Sequence, residues 1–187
     1  MVLRLFPVAA VLVLGAGLWF FELGRRDYWR YGRLRLRTAL LQAALFFGWG
    51  CMGWIFLPRD WPDVHVATAW AVAGRILLWG GIVVTLLAIV WLGWMRSMGQ
   101  RRDLLRRSGP YRMSRNPQCV ACAAFGLGFA VLWPSVWAVA WVALLLALLV
   151  MMVRIEEKHL RRTFGTAYEK YCAQVPRWFG LPRRTVS

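Results

Sequence analysis

Residues 118–153 read QCVACAAFGLGFAVLWPSVWAVAWVALLLALLVMMV, and this apolar run decides the fold. A helix crosses a bilayer in about 20 residues, so the run is too long for one span. Trp133-Pro134-Ser135 falls near its middle, and proline favours the first turn of a new helix. We therefore predict a membrane hairpin of two helices, Gln118–Leu132 and Pro134–Lys158, which returns the chain to the membrane face that it left.

Polar residues flank this hairpin on both sides. Gly109-Pro110-Tyr111-Arg112 and Arg115-Asn116-Pro117 precede it. The residues that follow it are Glu156-Glu157, Phe164-Gly165, Tyr168, Tyr171 and Val175-Pro176-Arg177. Because the hairpin brings both groups to one face of the membrane, we expect them to meet and to build one pocket. This pocket is the predicted active site.

The rest of the chain is also too apolar for a soluble domain, since 60% of its 187 residues are hydrophobic and 13 are Trp. Three further segments are suited to spanning a bilayer: Pro7–Leu23, Ala39–Leu57 and Val66–Met95. We predict an all-α polytopic membrane protein with about five transmembrane helices and a cytoplasmic helical segment at the carboxyl terminus. The first hairpin helix is short, so it tilts, thins the bilayer locally or stops short of the far face.

No repeat or flexible linker divides the sequence, and we predict a single integral-membrane domain, 1–187. Residues 1–95 are interpreted as scaffold spans, in which Gly48, Gly50 and Gly53 permit close helix packing. Residues 96–187 are interpreted as the cofactor-binding and catalytic region.

The formal net charge of +16 is distributed in a pattern that indicates membrane topology. Six arginines lie in Gly24–Arg37, seven in Arg96–Arg115, and eight arginines or lysines in Arg154–Ser187. The alternate side of the predicted spans has only Arg4 and Arg59. Loops rich in Lys and Arg stay in the cytoplasm, so the amino terminus is expected outside and the carboxyl terminus inside. Separate blocks between spans do not form the continuous basic patch of a nucleic-acid-binding protein.

The amino-terminal apolar segment has an alternative interpretation as a secretory signal peptide over Met1–Leu23. No clear small-residue cleavage site follows it, and cleavage would place the basic block Gly24–Arg37 outside. We therefore interpret the segment as a membrane span, and we expect the protein in a bacterial inner membrane.

The cysteine pattern does not predict a disulfide framework, because all four cysteines lie in or beside apolar or cytoplasmic segments. They are Cys51, Cys119, Cys122 and Cys172. Cys119 and Cys122 form a lone C-x-x-C, and the chain has only two histidines. We interpret the pair as small buried side chains in preference to a metal or redox site, and we predict no metal.

Glu156 and Glu157 stand at the carboxyl-terminal end of a predicted helix, where the helix dipole disfavours negative charge. Either an ion pair with Arg154 or Arg161 compensates them, or a cationic or hydroxyl-bearing ligand does. A carboxylate accepts hydrogen bonds from an amino group or a ribose, and the strip from Arg112 to Arg115 suits a ligand carboxylate. S-adenosylmethionine carries all of these groups.

The order G-P-Y-R, R-N-P, apolar hairpin, E-E and F-G-x-x-Y-x-x-Y-x-x-x-V-P-R resembles the isoprenylcysteine carboxyl methyltransferase and phospholipid methyltransferase families over about Gln100–Pro182. The resemblance implies an integral-membrane methyltransferase that binds S-adenosylmethionine in a pocket facing the cytoplasm and draws a lipophilic acceptor from the bilayer, among membrane lipids. The implied cofactor-binding residues are Tyr111, Arg115, Asn116, Pro117, Glu156, Glu157, Tyr168, Tyr171 and Arg177. The implied catalytic residues, which stabilise the cofactor, orient an anionic acceptor or take a proton, are Arg112, Arg154, Glu156 and Glu157.

The sequence departs from the family pattern R-H-P-x-Y-x-G, because residues 115–121 read RNPQCVA. Asn116 keeps hydrogen-bonding capacity but does not titrate near neutral pH, which argues against a base at this position. The acceptor stays open among a carboxylate, a thiol and a phospholipid amine. Two other functions stay open as well: a membrane sterol-type reductase that uses NADPH, and a non-catalytic membrane protein that retains the fold and binds anionic lipid.

Overall fold

The computed structural model describes residues 5–56, 68–93, 99, 105 and 107–181, and these residues form helices and connecting turns without a β-strand. The helices are α1 (Phe6–Tyr31), α2 (Leu36–Phe56), α3 (Thr68–Leu92), α4 (Pro117–Leu132), α5 (Val136–Phe164) and α6 (Thr166–Gln174). A 3-10 turn, Gly109–Arg112, precedes α4. The predicted all-α class is confirmed.

Four of these helices, α1, α2, α3 and α5, are long and apolar enough to cross a membrane. The fifth apolar helix, α4, has 16 residues and extends only about 24 Å at ~1.5 Å per residue. Large apolar side chains such as Leu12, Phe47 and Val90 are exposed on the outer faces of the spanning helices, where lipid solvates them. The chain is an integral, polytopic membrane protein.

The predicted hairpin is present, but the second helix begins two residues later and ends six residues later than predicted, and the first begins one residue earlier. Helix α5 begins at Val136, not at Pro134, because Ser135 is the N-cap: its Oγ accepts the N–H of Ala138 at 3.0 Å. The helix ends at Phe164, and Gly165 follows it with φ 49°. Gly126 of α4 faces Val142 and Leu145 of α5, so the two helices run antiparallel and bring Pro117 and Glu156 to one end of the bundle.

Helix α1 packs parallel to α5 along its whole length. Phe6 contacts Trp137 near the start of both helices, and Tyr28 stacks on His159 near their ends with ring centroids 4.4 Å apart. The turn into α2 is held by Asp27, which is buried and accepts the backbone N–H of Arg35 and the hydroxyl of Thr38. The ends of α1 and α5 and the start of α2 therefore lie at the same end of the bundle.

Helices α3 and α4 lie so close that a glycine is required where they touch. A Cβ at Gly81 would stand 2.5 Å from the backbone nitrogen of Phe125 and 2.6 Å from the carbonyl oxygen of Ala121. The glycines proposed from the sequence behave differently: Gly48 and Gly50 face open space, and that prediction is wrong for them. Gly53 does permit close packing, against Trp141.

Candidate functional site

A cavity of about 330 Å³ lies among the helix ends on the side of the bundle where α4 begins and α5 ends. Ligand pockets start at about this size. Helices α2 to α6 all contribute to its wall. The lining residues are Gln42, Ala43, Phe46, Trp49, Thr85, Ile89, Leu92, Leu105, Tyr111, Arg115, Asn116, Pro117, Gln118, Cys119, Cys122, Phe125, Leu149, Met152, Glu156, Leu160, Tyr168 and Tyr171.

Most of the side chains that the sequence nominated meet in this wall. From before the hairpin come Tyr111, Arg115, Asn116 and Pro117, and from after it come Glu156, Tyr168 and Tyr171. Glu157 and Arg177 do not line the cavity. Glu157 pairs with Arg115, which does line it, and Arg177 pairs with Glu157. Arg112 and Arg154 are exposed, and the structure does not bring them to the cavity, so the catalytic roles predicted for them have no geometric support.

Glu157 joins two arginines. Its Oε2 accepts Nη2 of Arg177 at 2.7 Å and Nε at 3.0 Å, and its Oε1 lies 3.3 Å from Nη1 of Arg115. The Glu157 side chain is 5% exposed and that of Arg115 is 10% exposed, whereas the side chain of Arg177 is 44% exposed. The carboxylate raises the pKa of Arg177 by hydrogen bonding and by its charge. Two cations against one carboxylate leave one positive charge beside the cavity.

The segment after α6, residues 175–180, is hydrogen-bonded to the turn before α4. The N–H of Arg115 donates to the carbonyl of Pro176 at 3.0 Å, and the N–H of Gly180 donates to the carbonyl of Met113 at 3.1 Å. The side-chain amide of Asn116 donates to the carbonyl of Arg177 at 3.1 Å. Asn116 therefore uses its amide to hold residues 175–180 against the start of α4, a task that does not require a titratable group.

Tyr168 and Tyr171 turn the same face of α6 toward the cavity, and they are only 1% and 3% exposed. The hydroxyl of Tyr171 donates to the carbonyl of Tyr111 at 2.8 Å and so ties α6 to the 3-10 turn. Burial is the main cause that raises the pKa of both hydroxyls, and the charge of Glu157 adds to it at Tyr168. Both phenols are therefore neutral at physiological pH.

The sequence interpretation missed the part of the wall that α2 and α3 provide. Gln42 is the polar member of this part: it is 5% exposed, and its Nε2 donates to the sulfur of Met152 at 3.2 Å. Its Oε1 has no hydrogen-bond partner among the described residues. A polar side chain inside a span is costly and usually marks a functional cavity, and that signal was available in the sequence.

Comparison with known families is informative for this chain. The family model described as phospholipid methyltransferase matches residues 69–167, more than half of the sequence. The chain belongs to the phospholipid methyltransferase family. The match runs from α3 into α6 and includes Arg115 and Glu156, and it confirms the family resemblance found in the sequence. Comparisons with curated proteins and with solved structures gave no match.

Family membership makes the protein a membrane methyltransferase by class. The cavity is consistent with such a class, because its wall combines the charged side chains of Arg115 and Glu156 with apolar side chains of membrane-spanning helices, such as Phe46, Ile89 and Leu149.

Proposed function

We propose that this protein transfers a methyl group from S-adenosylmethionine to a lipophilic acceptor, as an isoprenylcysteine carboxyl methyltransferase-like enzyme does. The observation that carries the proposal is the single cavity in which Arg115 and Glu156 stand near a wall of transmembrane apolar side chains. A polar cofactor entering from the aqueous side and an acceptor entering from the bilayer would meet there.

The cofactor end of the cavity fits an amino-acid carboxylate. Arg115 lines the cavity, and its buried Nε has no hydrogen-bond partner among the described residues. A carboxylate ligand satisfies that donor and balances the positive charge that Glu157 leaves over. Glu156, which also lines the cavity, suits the ligand's amino group or its ribose hydroxyls. The rings of Tyr168 and Tyr171 offer apolar surface to the rest of the cofactor.

Methyl transfer from a sulfonium is an in-line displacement, and the bound cofactor supplies the electrophilic methyl group. The residues of the chain contribute by alignment and by exclusion of water, which together supply on the order of 7–11 kcal/mol of barrier reduction. Phe46, Trp49 and Phe125 provide an aromatic wall that favours a sulfonium cation. A carboxylate or thiolate acceptor needs no base, and an amine acceptor would lose its proton to Glu156, the carboxylate in the described wall.

The test is calorimetric titration of the purified protein in detergent with S-adenosylmethionine, with its demethylated product, and separately with NADPH. We expect saturable binding of the first two ligands only, at least tenfold weakened in Arg115→Ala and in Glu156→Gln. Arg37→Gln, an exposed arginine on α2, is the control and should bind like the parent. Binding of NADPH alone would overturn the proposal in favour of a reductase.

The acceptor is then sought by transfer of a labelled methyl group to lipid extracts that contain carboxylate, thiol or amine lipids. We propose a bacterial inner membrane as the location, with the cavity mouth toward the cytoplasm, because the arginine-rich segments 24–37 and 154–181 lie at the same end of the bundle as the cavity.

A further inference from the structure

A second, larger concavity of about 1050 Å³ lies between the ends of α1 and α5, outside the cavity described above. Its α5 side carries four cations, of which Arg161 and Arg162 are adjacent and lie three and four residues after Lys158, which in turn lies four after Arg154. Its α1 side presents Arg25, Arg26 and Arg30. Phe21 and the buried Ile155 add an apolar surface to the same groove. We call this concavity the α1–α5 groove.

Only some of these cations have an anionic partner within the chain. Glu22 binds both Arg25 and Arg26, at 2.9 and 2.7 Å, and Glu169 lies 3.7 Å from Arg161. Within the ranges that the structure describes, Arg30, Arg154 and Lys158 have no carboxylate partner. The groove therefore keeps a surplus of positive charge where two parallel helices converge.

Helix electrostatics account for only part of this surplus. Cations in the last turn of a helix are favourable, which explains Arg30 on α1 and Arg161 and Arg162 on α5, but the effect fades within that turn. Arg154 and Lys158 lie farther back, four residues apart on one face, where like charges repel. An anion between the helices would convert this repulsion into attraction.

One cation of the groove is held in place. The guanidinium carbon of Arg162 lies 3.7 Å from the ring centroid of Trp29, and its Nη1 reaches the Trp29 carbonyl at 3.5 Å. Trp29 itself is 67% exposed and stands at the end of a membrane span, the depth at which indoles meet lipid headgroups. The groove thus combines fixed positive charge, an interfacial aromatic ring and an apolar surface at headgroup depth.

We propose that the α1–α5 groove binds the phosphate headgroup of an anionic phospholipid, with Arg30, Arg154 and Lys158 on the phosphate and one acyl chain along Phe21 and Ile155. Basic pockets between transmembrane helices are suited to this ligand class, because a headgroup supplies negative charge while its chains stay in the bilayer. The site lies apart from the methyl-transfer cavity and does not depend on the proposed reaction.

The test is native mass spectrometry of the detergent-purified protein, titrated with phosphatidylglycerol, with phosphatidylcholine, and with inorganic phosphate alone. We expect one phosphatidylglycerol bound in preference to phosphatidylcholine, and no competition by millimolar phosphate. The double variant Arg154→Gln/Lys158→Gln should bind phosphatidylglycerol about 30-fold more weakly, since the loss of each charge near the surface weakens binding about fivefold.

The control is Arg33→Gln/Arg37→Gln, which removes the same charge from exposed positions near the start of α2 at the same end of the bundle. It should bind like the parent. An equal loss in both double variants would overturn the site and leave only general surface attraction, and displacement of the lipid by free phosphate would overturn the lipid assignment. Circular dichroism and thermal unfolding are measured first, and binding is compared only between double variants that are folded.

Discussion

Arg115 shows how one residue organises the candidate site. Its backbone N–H donates to the carbonyl of Pro176, and its Nη1 meets the Cys172 sulfur at 2.6 Å and the Glu157 carboxylate. Its Nε has no hydrogen-bond partner among the residues that the structure describes. A planar guanidinium offers several donors in fixed directions, which a lysine ammonium does not. The residue therefore links residues 175–180 to the ligand position, and its buried positive charge depends on Glu157 for a counter-charge.

That dependence leads to a prediction at Glu157. Glu157→Gln leaves the buried guanidinium of Arg115 without a counter-charge, and removal of one partner from a buried ion pair costs about 3–5 kcal/mol. We expect a marked fall in the thermal unfolding midpoint in detergent. Glu22→Gln, which removes the exposed pairs with Arg25 and Arg26, should lower the midpoint far less, because solvent screens these pairs. Equal midpoints for the two variants would show that Glu157 has no structural role.

A second prediction concerns Gln42, whose buried Oε1 lacks a donor among the described residues. Such a group costs about 1–3 kcal/mol in the empty protein, and a hydroxyl or amine of the acceptor would satisfy it. Gln42→Met keeps the volume and removes the polar atoms. We expect a higher unfolding midpoint together with a KM for the acceptor raised about tenfold. A raised midpoint with unchanged KM would exclude contact between Gln42 and the acceptor.

At the scale of elements, the sequence predicts the features that depend only on neighbouring residues, such as where a helix breaks. Pro134 and Ser135 mark the break in the apolar run, and the two hairpin helices lie close to their predicted positions as α4 and α5. Side-chain direction is less well predicted, because residues that are adjacent in the sequence of a helix do not share a face of it. Successive residues of a helix turn by about 100°, so Glu156 lines the cavity with Met152 and Leu160 while the neighbouring positions point elsewhere.

The same rotation of about 100° per residue explains why Arg154 and Glu157, which were predicted in the pocket, do not line the cavity. Arg154, two positions before Glu156, lies on the opposite face of α5 and lines the α1–α5 groove. Glu157 points between these faces, toward Arg177. The contribution of α2 and α3 to the cavity wall does not follow from neighbouring residues, because it depends on which spans pack together. Gln42, a polar residue within an apolar span, is the sequence feature that indicates it.

The contact between α3 and α4 gives a third prediction. Gly81→Ala would push a methyl group into the backbone of Phe125 and Ala121, and overpacking against backbone costs about 1–3 kcal/mol or more. The adjacent Gly80 faces open space, so Gly80→Ala should be neutral or stabilise by about 0.5–1 kcal/mol. Thermal unfolding of the pair measures both effects. A similar midpoint for the two variants would contradict the close approach of these helices.

Helix α6 gives a fourth prediction, about alkaline stability. Burial raises the pKa of Tyr168 and Tyr171 above the ordinary value near 10, so the unfolded chain loses these protons first as the pH rises. Their contribution to stability is complete below about pH 10 and is lost as the pH climbs through the raised pKa, by up to about 1.4 kcal/mol per pH unit for each tyrosine.

The measurement is the unfolding midpoint between pH 9 and 11.5, a window set by that ordinary tyrosine value. In Tyr168→Phe one titrating group is gone, and the midpoint should fall less steeply with pH than in the parent. Parallel curves for the two proteins would show that the Tyr168 hydroxyl has the same pKa in the folded and unfolded chains.

At the scale of the whole molecule, the basic residues of the groove and the cavity lie at the same end of the helix bundle. The polar part of the cavity wall, the α1–α5 groove and the turn from α1 to α2 all lie where α1 and α5 end, and the start of α3 lies at the other end. Basic segments are retained on the cytoplasmic side during insertion, so we expect the arginines near both candidate binding sites to orient the protein as well. A soluble cofactor made in the cytoplasm would then reach the cavity directly.

The final prediction is this orientation, and it can be measured by cysteine labelling. In a variant without native cysteines, Arg33→Cys places a thiol at the basic end, and Thr68→Cys places one at the start of α3, whose 25 residues extend about 38 Å and exceed the ~30 Å hydrocarbon core. With a membrane-impermeant maleimide, we expect Thr68→Cys to react in spheroplasts and Arg33→Cys only after the membrane is opened. The reverse pattern would put the cavity mouth outside, away from cytoplasmic S-adenosylmethionine, and would contradict the proposed function at the level of the whole protein.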